Sequence, residues 1–105
     1  MSTFNHRPYG LSEAGNKAYD AIMAAMGDVD TGGCRTFYSP AEWAARGETY
    51  GRNAELIVVY DGGDVSSYFT YDYGFKLAEK MSDALSEVGV FAEQCTGWYS
   101  GIYNI

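Results

Sequence analysis

Leu56-Ile57-Val58-Val59-Tyr60, running into Asp61-Gly62-Gly63-Asp64, is the stretch from which the architecture of this chain can be read. It is the only run that is both strongly apolar and β-branched, and it breaks at residue types that turns favour. An apolar run without polar alternation predicts a strand over about residues 55–60, covered on both faces and therefore central in its sheet.

Working outward, the next clear period is helical. Leu77, Met81, Ala84, Leu85 and Val88 recur at three- and four-residue steps, which predicts a helix over about 72–88 with that stripe buried. Gly89 closes it, and Val90 to Cys95 resumes as a strand over about 90–96. Pairing of this strand in parallel with 55–60 would make the helix a crossover between them. Residues 65–71 lie between strand and helix and are read as a loop rather than as a hairpin partner.

Before the central strand, Ser12 is a candidate N-cap for an amphipathic helix over about 12–26, its stripe built from Ala14, Ala18, Ala21, Ile22, Ala25 and Met26. Gly15 weakens its first turns, since Gly costs about 1 kcal/mol against Ala inside a helix. Phe4 to Tyr9 reads as an arm or edge strand, and Cys34 to Tyr38 as a short β-prone run. Ser39-Pro40-Ala41-Glu42 has the capping-box spacing with Pro at the first helical position, predicting a short helix over about 40–46 that Trp43 docks on the core. Together these elements predict an α+β fold, a single domain over 1–105 with a short mixed sheet packed by helices.

Composition narrows the function classes. Fourteen acids against seven bases leave a formal charge of −7, on a chain with ten tyrosines. The bases are scattered, whereas a phosphate backbone needs them clustered, so direct nucleic-acid binding is not expected. No segment approaches the length of a membrane span and the N-terminus has no apolar signal region, so a cytoplasmic protein is expected. Cys34 and Cys95 are then expected to be reduced and at least partly buried. With these two thiols and the single His6, no finger-like zinc site can be assembled, and neither a metal nor a cofactor is expected.

Candidate chemistry is sparse. Asp61 and Asp64 stand at the end of a strand, where open α/β sheets bind ligands, and paired carboxylates could serve acid–base work. The plainer reading is that Asp and Gly are what a turn requires. The surface says more. Glu79, Asp83 and Glu87 step along the last helix at intervals of about 6 Å, and Asp72 extends that acidic line. Tyr68, Tyr71 and Tyr73 precede the helix, while Trp98, Tyr99 and Tyr103 crowd a tail that is aromatic almost to its end. Tyr and Trp provide rigid contact area, so these ten residues are the candidate partner-binding set. The tail must pack on its own domain or on a partner, and a homodimer is one such arrangement.

Asp61-Gly62-Gly63, Tyr71-Asp72-Tyr73 and Phe91-Ala92-Glu93-Gln94-Cys95-Thr96 followed by Trp98-Tyr99-Ser100 together resemble short acidic accessory proteins of phages, prophages and plasmids, over about the C-terminal half. The resemblance implies an inhibitor of host defence, of the anti-CRISPR or antirestriction kind, that binds an effector and blocks its nucleic-acid site. It implies no role for any single residue. The expected function is therefore non-enzymatic inhibition through contact with a basic protein surface. A small enzyme at the 61–64 turn and a homo-oligomeric phage accessory protein are the alternatives.

Overall fold

The computed structural model of the chain describes residues 5–27, 29–48, 50–51, 53–71 and 74–105. Three helices and four strands form an α+β domain with a Cα radius of gyration of 12.2 Å. In chain order they are α1 (Glu13–Met26), β1 (Phe37–Tyr38), α2 (Pro40–Ala45), β2 (Leu56–Val59), α3 (Lys76–Glu87), β3 (Val90–Gln94) and β4 (Tyr99–Asn104). Local signals placed the first two helices well. The Ser12 hydroxyl accepts from the Gly15 amide to cap α1, and the Ser39–Glu42 capping box is complete on α2. Residues 5–10 form no strand, although Asn5 and Pro8 are buried.

The sheet has the order β1-β2-β4-β3, and every neighbouring pair is antiparallel. This corrects the expected mixed sheet. Both β2 and β3 pair antiparallel with β4, so they do run in the same direction, but β4 is inserted between them. The aromatic tail is thus a central strand of its own domain. Residues 95–99 turn the chain back tightly, with the Cys95 amide donating to the Tyr99 carbonyl at 3.1 Å, so β4 returns beside β3 and fills the space next to β2.

β2 is buried along its whole length, as its unbroken apolar run predicts. Its alternate residues feed two cores. Leu56, Val58 and Tyr60 face a layer made by α1 and α3, with Ile22, Met81, Leu85 and Ile102. Ile57 and Val59 face the opposite side, where Trp43 of α2 and Tyr99 of β4 cover them. Trp43 is fully buried, so it does dock α2 on the core.

The third helix begins at Lys76, later than the sequence period suggests. Gly74 adopts a φ of +100°, outside the helical range, so it is not part of the helix. Asp72 and Tyr73 lie outside the described residues. The buried stripe of α3 is Ala78, Met81 and Leu85, while Leu77 is 39% exposed. Between β2 and α3, Val65–Tyr68 forms one 3-10 turn instead of a hairpin strand. Residues 65–71 are thus the connection that the sequence predicts.

Candidate functional site

The Asp-Gly-Gly-Asp turn has a structural explanation. It crosses the loop at 30–34 so closely that a Cβ on Gly63 would fall 2.1 Å from the Asp30 carbonyl oxygen, and Gly63 itself has a φ of +65°. The Asp64 amide donates to that same oxygen at 2.7 Å, tying the two loops together. Asp61 and Asp64 are exposed at the rim of this crossing. Among the described residues, no group of three His, Cys, Asp or Glu side chains converges to hold a metal. Both thiols are free and half-buried, as the sequence suggests.

The predicted partner-binding residues do not form one patch, because the sheet divides them. On the α1/α3 side, Tyr68, Phe69 and Tyr71 close one end of a groove of about 190 Å³. One wall is α3, through Ala78, Met81, Ser82 and Leu85; the other is β3, through Ala92 and Gln94. Tyr71 is 62% exposed and its ring meets that of Phe75, itself 66% exposed, with centroids 5.3 Å apart. Phe75 is not among the candidates read from the sequence; it stands inside the predicted helix span but outside its stripe. Glu79, Asp83 and Glu87 are exposed on the outer face of α3, but Lys76 and Lys80 are exposed on the same helix. Helical geometry puts Glu79 one turn from Phe75 and Ser82, on the flank of α3 toward the groove.

On the opposite side of the sheet, the Tyr103 ring packs beside Phe91, and Trp98 packs against both Trp43 and Tyr99. Tyr99 departs from the predicted set. It is 1% exposed and its hydroxyl donates to the Tyr50 carbonyl at 3.3 Å, so it offers no area to a partner. Its ring is needed where it is, because α2 has only Trp43 to cover this face of β2 and β4. Trp98 and Tyr103 are half-buried, with Phe91 at 41% exposure beside Tyr103. Burial and the nearby Cys95 sulfur push the Tyr103 hydroxyl up to about 12.

No family model, curated protein or solved structure matches this chain. What the site can do must therefore follow from its own groups. Charge is the first of these. Arg7, Lys17, Arg35 and Arg46 are each paired with an acid, namely Asp20, Glu13, Glu42 and Glu48. Arg35 and Arg46 also lie over the rings of Tyr38 and Trp43, which holds their charge at the α2 end of the molecule. The acids of α3 and β3 have no ion-pair partner within 4.0 Å among the described residues. No helix among the described residues is long and apolar enough to cross a membrane.

Proposed function

We propose that this chain is a non-enzymatic binding protein, an inhibitor carried by a mobile element that occupies a basic, nucleic-acid-receiving surface of a host defence nuclease complex. A CRISPR effector is the example that the sequence resemblance suggests. The observation that carries this reading is the set of acids on the outer face of α3 that have no ion-pair partner among the described residues. Glu79, Asp83 and Glu87 stand on consecutive turns and are exposed, while the paired cations sit elsewhere. On a chain of charge −7, such acids steer encounter with a positively charged groove and disfavour wrong partners. Lys76 and Lys80 interrupt the line, so the helix offers patterned charge and not a uniform acidic wall. The exposed Tyr71 and Phe75 beside it supply contact area of the kind that anchors protein interfaces.

The experiment is retention of the chain on an immobilised CRISPR effector complex, with the effector's DNA binding measured in parallel. Retention at low salt that weakens at raised salt is the expected result, together with loss of DNA binding by the effector. Reversing all three charges (Glu79→Lys, Asp83→Lys, Glu87→Lys) should abolish both effects. Absence of retention at low salt across a panel of effectors would sink the proposal.

A further inference from the structure

The strand edge beside the groove pairs with no further strand among the described residues, and its hydrogen-bonding parity follows from the ladder. The Gly89 carbonyl accepts from the Ile105 amide at 3.0 Å, and the Cys95 amide donates to the Tyr99 carbonyl at 3.1 Å. These two bonds flank a register in which Phe91 opposes Tyr103 and Glu93 opposes Gly101. Bonded and non-bonded pairs alternate in an antiparallel ladder, so Phe91 and Glu93 turn their main chain toward β4. Val90, Ala92 and Gln94 therefore turn theirs away from it; Val90 is fully buried, so the accessible outward groups are those of Ala92 and Gln94. β3 is the last strand of the sheet, and no hydrogen bond among the described residues takes up those outward groups.

Natural edge strands are usually blunted by Lys, Pro, a bulge or shortness. β1, at the other edge, is only two residues long and is covered by Arg35 over Tyr38. β3 has five residues, Val90-Phe91-Ala92-Glu93-Gln94, with neither Lys nor Pro. It also borders both aromatic groups: Ala92 and Gln94 line the groove, while Phe91 lies against Tyr103 on the reverse face.

We infer that β3 is a docking edge for an extended, basic peptide segment of a partner protein, which adds to the sheet as a fifth strand. Side chains of an added strand alternate between the two faces. One set points into the groove between Ser82 of α3 and Ala92 and Gln94 of β3. At about 190 Å³ the groove is below the ~300 Å³ at which drug-sized ligands are usually enclosed. It fits an apolar side chain, with Met81 and Leu85 beneath. The other set meets Phe91 and Glu93, an aromatic ring and an exposed carboxylate with no ion-pair partner among the described residues, which favour Lys or Arg. Charge selects this occupant over a second copy of the chain, since pairing two copies along β3 brings together molecules of charge −7 and their Glu93 side chains. The inference concerns how a partner is held and does not require that partner to be a nuclease.

The test uses the full chain and a labelled, end-blocked heptapeptide alternating valine and lysine. The expected result is saturable binding by fluorescence anisotropy, with amide NMR shifts concentrated at Ala92, Gln94 and Ser82. Methylating the peptide nitrogens that face β3 should weaken binding at least about tenfold, as should Glu93→Lys. Ala92→Pro removes an outward N–H without touching the β4 ladder and should do the same; if that variant fails to fold, the methylated peptide carries the test of the hydrogen bonds. Three results would overturn the inference: no binding at millimolar peptide, binding unaffected by N-methylation, or a dimer of this chain in solution whose contact protects the β3 amides.

Discussion

Trp43 and Tyr99 meet edge to face with ring centroids 4.8 Å apart, and both donate to one acceptor, the carbonyl oxygen of Tyr50, at 3.1 and 3.3 Å. The pair joins α2, the loop after it and β4 across the face that α1 and α3 do not reach. Because Trp43 is fully buried, Trp43→Ala should cost about 3–5 kcal/mol. Tyr99→Phe keeps the ring and leaves the Trp43 bond to Tyr50, so it should cost only about 0.5–1.5 kcal/mol. Urea unfolding followed by far-ultraviolet circular dichroism would separate the two; equal costs would mean that the shared acceptor, not packing, holds this face.

Gly15 sits in α1 where helix propensity alone would favour Ala by about 1 kcal/mol. A Cβ at that position would fall 2.4 Å from the Glu55 carbonyl oxygen. That oxygen belongs to main chain entering β2 and cannot swing aside. The Glu55 carboxylate also accepts from Ser12 at 2.6 Å and from Asn104 at 3.0 Å, fixing the junction between α1, β2 and β4. Gly15→Ala should therefore lower the thermal midpoint. A rise would show that α1 can move off the sheet at no cost.

At the 61–64 turn the glycines and the acids should respond in opposite ways. Gly63→Ala places a methyl against the Asp30 carbonyl at a positive φ and should destabilise by about 1–3 kcal/mol or more. Asp61→Ala with Asp64→Ala removes only exposed carboxylates and should shift stability by less than about 1 kcal/mol. Denaturant midpoints of the two variants provide the comparison, and a large loss in the double Asp variant would reopen the turn as a site of carboxylate chemistry.

Stability should fall at both ends of the pH scale. Burial, with added repulsion from the Cys95 sulfur, raises Tyr103 to about 12, and burial likewise raises Tyr60 and Tyr99. Folding favours the neutral phenol, so its contribution is complete below the unfolded value of about 10 and is lost as pH climbs through 12. The hydrogen bond from Arg35 lowers Glu42, whose contribution is present above the ordinary glutamate value and is lost as pH falls toward the lowered one. Tyrosinate absorbance and circular dichroism followed together should show late-ionising tyrosines appearing with unfolding. Full ionisation near pH 10 in the folded protein would contradict this.

How far the sequence carried differs from element to element. The capping signals at Ser12 and Ser39 act on the nearest turn of backbone, so both helix starts were readable, as was the covering of β2 on both faces. The start of α3 was not: the sequence places the helical period from residue 72, while Gly74 has a φ of +100° and the helix begins at Lys76. Gly15 read as a weakness because its reason lies in the Glu55 main chain, far away along the sequence. Of the candidate binding residues, Tyr68, Tyr71, Glu79, Asp83 and Glu87 share one side of the sheet, Trp98 and Tyr103 the other, and Tyr99 belongs to the core.

By itself, then, the sequence determined what local chemistry determines: two capped helices, a central apolar strand, an acidic and tyrosine-rich surface, and the α+β class. Tertiary structure alone decided that β4 enters between β2 and β3, because strand order depends on which main-chain groups find partners across the whole chain. That insertion turns an aromatic tail into core, divides the tyrosines between two faces, and leaves β3 at the edge, its outward amides and carbonyls without a partner among the described residues.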